Sequence, residues 1–372
     1  MQLKYNIIQY LKEYGGKSFR ESPFSEVDAL VLSQMSYLKM DGIVPGFGKG
    51  RGVSLEEMSS HPDAEKMFTD PLYGKQHKRV FRLVAGSRRY HPVKVNYYKA
   101  WFDEEREAQF AAVTFFLGST SIFVSFRGTD ETLVGWKEDF NMGYMKVVPS
   151  QRSALAYLKG VARYTQGRIV IGGHSKGGNL AIYASSYAPP QIQSRIRRVY
   201  SFDGPGFQRG FYDREGFIRI EDRFCKIVPA QSLIGMILTN YRKYRVVESY
   251  GVGMGQHDLM QWKIKDGKFI YRKEIQGRSS KKSVIFNNWI NSLSKQQVVV
   301  FVETLYGLLR QAQISNVAQL LKKPFHILHT ALRFFKNLDK KKRNMFFQTI
   351  GKFFSVMRET LFGHNRRSKR DR

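Results

Sequence analysis

The chain has 372 residues, 42% hydrophobic and 14% aromatic, with 61 Lys and Arg against 31 Asp and Glu for a formal net charge of +30. Apolar content on that scale builds a substantial core, which excludes disorder throughout and points to two or three units, or one large α/β domain with an appendage. The single cysteine, Cys225, excludes an internal disulfide framework and a thiolate metal cluster, and no run reaches the ~18 apolar residues of a membrane span.

The opening MQLKYNIIQYLKEYGG has no basic stretch leading into an apolar run and a small-residue cleavage site. A signal peptide is therefore not expected, and the expected location is the cytoplasm. The N-terminal segment reads as helices. Ser25 and Asp28 form an S-x-x-D capping box ahead of the apolar run VDALVLSQMSYL. GIVPGFGKGRG (42–52) is a Gly-rich loop, but it fails as a phosphate loop because no strand precedes it and no Lys-Ser/Thr follows at the right spacing. GGKS (15–18) also fails, since Leu11 stands where a phosphate loop needs glycine. No cofactor is expected.

From about 93 to 127 the apolar period changes to two. VKVNYYKAWF, EAQFAAVTFFL and SIFVSFRG predict strands, the first two paired antiparallel. A helix is expected over roughly 150–165, then a short apolar strand, RIVIGG. The helix KGGNLAIYASSYA follows, stopped by Pro189-Pro190. RRVYSF, RFCKIV and YRVVESY are further candidate strands. Strands alternating with helices imply parallel crossovers and a buried sheet, hence an α/β fold. Beyond about 275 the pattern is helical: roughly 284–311, 315–322, 325–337 and 341–361.

Gly173-His174-Ser175-Lys176-Gly177 is a G-x-S-x-G placed between a predicted strand and a predicted helix. A serine hydroxyl becomes a useful nucleophile when it projects from such a tight turn toward a base, with the helix N-terminus facing the developing negative oxygen. The base is expected at His257, in GVGMGQHDLMQW, because a Gly-rich loop after a strand can carry an imidazole back over the elbow. His326 and His329 lie three apart on an amphipathic helix without an evident third ligand, and His364 sits in the basic tail, so no metal is expected. The acid is expected at Asp203, at the end of the strand after the elbow helix, with Asp222, Glu248 and Asp258 as fallbacks. For the oxyanion, one donor is the backbone N–H of Lys176, whose side chain matters less. The other is Thr129, offering N–H and hydroxyl from the loop after FVSFRG. Arg127 is expected to anchor that loop through carboxylates.

FRGT followed by Trp136-x-x-Asp139, together with GGHSKGGNLA, resembles the class 3 (fungal-type) lipases over roughly 90–260. By that resemblance Ser175 matches the nucleophile, Thr129 the oxyanion threonine and His257 the base. The departure is at the acid. The family carries it in a D-x-V-P segment, where this chain has Lys226-Ile227-Val228-Pro229, so Asp203 has to replace it from one strand earlier. Over nearly its full length the chain is similar to a bacterial group of lipase-like proteins of unassigned function, the Mbeg-like group. PFSEVDALVLSQMSYL, SFDGPGF, QHDLMQW and the helical C-terminus carry that likeness. It implies an α/β-hydrolase-type fold, a mixed and mostly parallel sheet with flanking helices, and no established substrate.

The expected division is an α/β-hydrolase-like domain over 1–275, with a helical and loop segment to residue 90, followed by a basic α-helical module over 276–372. Residues 271–372 hold 22 Lys and Arg against 5 Asp and Glu, a field that attracts polyanions. The expected function is hydrolysis of a carboxylic ester, a lipid acyl ester above all. The alternative is a weak or inactive hydrolase-fold scaffold that binds an anionic membrane or a partner protein. KKRNMFFQTIGKFFSVMRETLF has the spacing of a helix lying on an anionic membrane, which would place the protein peripherally at the inner membrane face. The same stripe also suits packing on a neighbouring helix, the reading the sequence favours. No nucleic-acid-binding module is recognisable.

Overall fold

The computed structural model describes residues 5–130, 132–275, 277–314, 319 and 324–362. Eleven strands occur among them: β1 (Val53–Ser54), β2 (Lys94–Asp103), β3 (Ala108–Phe116), β4 (Ser121–Phe126), β5 (Arg168–His174), β6 (Ile196–Phe202), β7 (Phe224–Pro229), β8 (Tyr244–Val247), β9 (Ile264–Lys265), β10 (Lys268–Phe269) and β11 (Tyr271–Arg272). Nine form one sheet in the order β1-β2-β3-β4-β5-β6-β7-β8-β11, and β9 and β10 pair by themselves. β4 through β8 run parallel; β1, β2, β3 and β11 add antiparallel edges.

The parallel strands are added in chain order, always on the same side. Right-handed crossovers then put their connecting helices on one face of the sheet. That face carries α6 (Pro149–Tyr164) and α7 (Lys176–Tyr187), packed on Ile122, Val124, Ile169, Ile171 and Val199. The opposite face would be bare. The N-terminal segment covers it with α1 (Ile7–Tyr14), α2 (Glu26–Met35), α3 (Leu55–Ser59) and α4 (Gly74–Ala85), whose side chains share a core with Val113, Phe115, Phe123, Phe202 and Ile227. Phe123 and Val124 thus belong to different cores, as period-two alternation requires. The Ser25–Asp28 capping box forms, and Asp28 also accepts from Arg89 Nη2 at 2.6 Å and Tyr10 Oη at 2.8 Å. This buried junction ties α2 to the chain just ahead of β2.

Two short helices, α8 (Pro190–Gln193) and α9 (Glu215–Ile218), fill crossovers, and α5 (Leu133–Asn141) follows β4. The helix expected over 284–311 is two helices, α10 (Gly277–Ser292) and α11 (Lys295–Gln311). The break is chemical: Ser294 accepts from the Gln297 amide, and the Gln297 side chain returns to the Ser294 N–H in a reciprocal cap. α12 (Pro324–Asn337) and α13 (Lys340–Phe362) match the remaining helical expectations, whereas the stretch 315–322 lies, apart from residue 319, outside the described residues, as does His364. Trp289 Nε1 donates to Thr349 O at 2.9 Å, and Phe301 stacks on Phe346, which joins α10 and α11 to α13. Lys137 of α5 pairs with Glu303 of α11 at 2.8 Å, and Asn287 Nδ2 donates to Met236 O at 2.7 Å, so these helices rest on the sheet region. Among the described residues no helix is long and apolar enough to cross a membrane.

Candidate active site

The C-terminal ends of parallel strands collect loop residues from segments far apart in sequence. Ser175 directly follows β5 and precedes α7, with φ 57° and ψ −131°, a backbone that L-residues rarely adopt. The flanking glycines permit the turn by close approach. A Cβ on Gly173 would stand 2.5 Å from Phe126 O, and one on Gly177 would collide with the same carbonyl. β4 and α7 can therefore converge only where those positions lack side chains. A Cβ on Gly128 would come within 2.7 Å of His174 O and 3.1 Å of Ser175 Cβ, so the Gly128-Thr129 loop lies against the elbow.

Asp203 follows β6 with φ 49° and is 1% exposed. His257 Nδ1 donates to Asp203 Oδ2 at 2.6 Å. The other carboxylate oxygen accepts from Ser232 Oγ at 2.5 Å and the Gly235 amide at 3.2 Å. One oxygen is thus held by the loop after β7 while the other orients the imidazole. The fallback acids lie elsewhere. Asp222 pairs with Arg223, Glu248 with Lys263, and Asp258 accepts from Gln76 and from the Met260 amide.

His257 is brought to the elbow through the residue before the serine. The His174 and His257 rings are 4.4 Å apart, and His174 Nε2 donates to His257 O at 2.9 Å. A carbonyl only accepts, so the proton of His174 is on Nε2. Nδ1 then accepts from the Tyr37 hydroxyl, also at 2.9 Å. Burial, with His257 beside it, holds His174 well below the usual histidine range, in keeping with this neutral tautomer. Gly128 lies against the same phenol, since a Cβ there would collide with the Tyr37 oxygen. One phenol therefore links the Thr129 loop, the elbow and, through His174, the His257 loop. Among the described residues the Ser175 hydroxyl makes no hydrogen bond to His257.

Thr129 Oγ1 donates to Asp139 Oδ2 at 2.6 Å, which leaves the backbone N–H as that residue's free donor in place of both groups expected from sequence. Burial pushes Asp139 up to about 6, against the opposing pull of Lys176 and the Thr129 bond. Its other oxygen, Oδ1, has no hydrogen-bond partner among the described residues. Lys176 opens α7, so its amide is one of the first-turn donors without an intrahelical partner. The Lys176 side chain turns away from the serine and buries its ammonium against Glu138 Oε2 at 2.8 Å. Glu138 is wholly buried and also accepts from the Gln109 and Ser150 amides. The identity of that side chain therefore matters more than sequence suggested, because it satisfies a carboxylate under the elbow. Arg127 reaches Asp130 at 3.8 Å.

Lys226, standing where a D-x-V-P acid would be, is buried. Its Nζ donates to Gly204 O at 2.9 Å, Gly235 O at 2.7 Å and Asn240 Oδ1. Those carbonyls flank Asp203 and the loop that holds it. Burial drives Lys226 down to about 7, opposed by the charge of Asp203. His326, away from this region, sets its Nε2 3.1 Å from Ala312 O. Beside α7, a cleft of about 340 Å³ is walled by Met142, Met145, Tyr183, Tyr187, Phe207 and Phe211, with Asn179, one turn beyond Ser175, on its lining.

The sequence matches the Mbeg1-like family over residues 84–307, more than half of the chain. The chain belongs to the Mbeg1-like family. No curated protein matches this Mbeg1-like chain in sequence. Among solved structures it is similar to M37 lipase, at 11% identity, covering 57% of this chain and 70% of that one with a TM-score of 0.37. It is similar also to the Lip2 lipase of Yarrowia lipolytica, at 10% identity, covering 65% and 93% with a TM-score of 0.35. A lipase from Rhizopus microsporus var. chinensis is 14% identical, covering 57% and 80% with a TM-score of 0.31.

Sequence reasoning about this Mbeg1-like chain passed over Tyr37, His174, Glu138, Ser232, Gly235 and the side chain of Lys226. His174 carried a signal, as a polar residue at the buried end of an apolar strand. Tyr37 carried none, since its partners lie 91 and 137 positions away in sequence.

Proposed function

We propose that this protein is a serine hydrolase that cleaves carboxylic esters through an acyl-enzyme, with lipid acyl esters as its substrate class. The observation that carries the reading is the 2.6 Å bond from His257 Nδ1 to a buried Asp203, on a loop bonded to the residue preceding an elbow serine. In this mechanism Ser175 Oγ attacks the ester carbonyl, and His257 Nε2 takes the hydroxyl proton and passes it to the leaving alcohol. Asp203 holds the imidazole in the tautomer that presents a free Nε2. The Thr129 and Lys176 amides stabilise the tetrahedral oxyanion. Water, deprotonated by the same imidazole, then releases the acid. The aromatic and methionine walls of the cleft beside α7 suit an acyl chain, and Lys146, Arg209 and Arg214 give the rest of its lining a cationic character. The class 3 likeness of FRGT, Trp136-x-x-Asp139 and GGHSKGG supports the ester assignment.

The test is covalent. A fluorophosphonate probe is expected to add to the folded protein once, at Ser175, by intact mass and peptide mapping. Ser175→Ala should abolish labelling and lower ester turnover by on the order of 10⁴–10⁶. Folded protein that resists the probe under conditions that label a control esterase overturns the reading. The scaffold alternative draws on one feature, the absence of a Ser175–His257 hydrogen bond among the described residues. It requires correct folding with neither labelling nor turnover across ester chain lengths.

A further inference from the structure

The two last helices leave large apolar side chains in water. On α12, Phe325 is 85% exposed, Leu328 62% and Leu332 69%; on α13, Phe347 is 50% exposed, Phe354 56% and Leu361 43%. Spacings of three, four and seven put each trio on one helix face. The opposite faces are occupied. Ile327 packs on Leu309, Ala312 and Ile314, Thr330 is buried, and Phe346 and Phe353 pack on Phe301 and Trp289. Phe335 and Phe347, 5.1 Å apart, join the two helices side by side. The stripe read from sequence as helix packing is thus two, one used in packing and one turned outward, of which Phe347 also touches α12. Solvated proteins rarely expose so many large apolar groups on adjoining elements unless something covers them.

The charge around the outward faces selects what does. Residues 324–362 hold eight Lys and Arg against Asp339 and Glu359 alone, and Arg333, Lys336, Lys340 and Arg358 are exposed. A second copy would bring the same excess of cations against itself. Nucleic acid offers phosphates but no hydrocarbon. An anionic bilayer offers both, with headgroups at the depth of the lysines and acyl chains beneath. We propose that the exposed faces of α12 and α13 dock this protein peripherally on an anionic lipid surface, the apolar side chains entering the interface and the flanking cations meeting the headgroups. This is independent of the hydrolase reading and can fail or hold without it.

The test is flotation of the full chain with vesicles of phosphatidylcholine alone or with about 30% phosphatidylserine. Binding to the anionic vesicles only is expected, weakening as salt rises. Phe325→Ser/Leu328→Ser/Leu332→Ser, all at exposed positions, should lower partitioning at least tenfold. Lys336→Gln/Lys340→Gln should lower it roughly fivefold per cation removed. Circular dichroism and melting confirm that each variant is folded, and the lysine variant decides alone if the serine variant is not. The proposal is overturned by no binding to either vesicle or by unchanged partitioning of the folded variants. It is equally overturned by lipid-free dimerisation that the serine variant abolishes, or by retention on polyuridylate in place of vesicles.

Discussion

Tyr37→Phe removes one oxygen and keeps the ring that lies 5.9 Å from both His77 and His174. That oxygen donates to His174 Nδ1 and packs against Gly128, so its loss leaves a buried ring nitrogen without its partner. An orphaned buried polar group costs about 1–3 kcal/mol. For a chain of this size, with an unfolding entropy of about 0.8 kcal/mol/K, that lowers the melting temperature by roughly 1–4 °C. The second effect is positional. Without the phenol, the His257 carbonyl still favours the same tautomer, but His174 Nδ1 has no partner to hold the ring in place, and the bond from Nε2 to His257 O is less firmly positioned. A shift of about 1 Å in a catalytic group costs on the order of 10²-fold in rate. We expect fluorophosphonate labelling of Ser175 to slow by about 10–10²-fold, with little change in saturation by the probe. Melting and labelling rate, measured on the same preparation, separate the two effects. A lower melting temperature with unchanged labelling means the phenol only packs, and refutes the argument that it positions the His257 loop. No change in either refutes the bridge altogether.

Two further outcomes follow from the carboxylates. Asp203→Asn keeps the shape but withdraws the charge facing His257 Nδ1 and is expected to lower kcat by about 10³–10⁴-fold with KM nearly unchanged; a loss below tenfold would remove Asp203 from the triad. Asp139, pushed up to about 6 by burial, binds its proton more tightly in the folded than in the unfolded chain. Stability owed to this group is therefore fully present below pH ~4 and lost as pH rises toward 6, up to about 3 kcal/mol. Asp139→Asn lacks that titration, so its urea midpoint relative to the parent should rise between pH 4 and pH 7; a constant difference across that range contradicts the buried ionisation.

Much of the fold could be read from the chain because its signals are local. Period-two runs over 93–127 became β2, β3 and β4, and Pro189-Pro190 ended α7 where a missing amide must. The glycines on both sides of Ser175 announced a turn whose geometry forbids a Cβ. The apolar run 284–311 misled because its helical period continues across Ser294, whose capping box resets the helix without changing the pattern. β11 was missed because two residues paired to β8 carry no period at all.

Sequence alone indicated the strand–elbow–helix unit around Ser175 and the basic helical end, since each depends on residue type and near-neighbour spacing. Tertiary structure decided that Asp203 rather than any other carboxylate meets His257, that Lys226 braces the acid's loop, and that Tyr37 ties three loops together. It also decided which stripe of α13 is buried and which faces outward. The reason is physical: a strand's end fixes only its own loop, while contacts between loops depend on the sheet order that sets strand ends side by side.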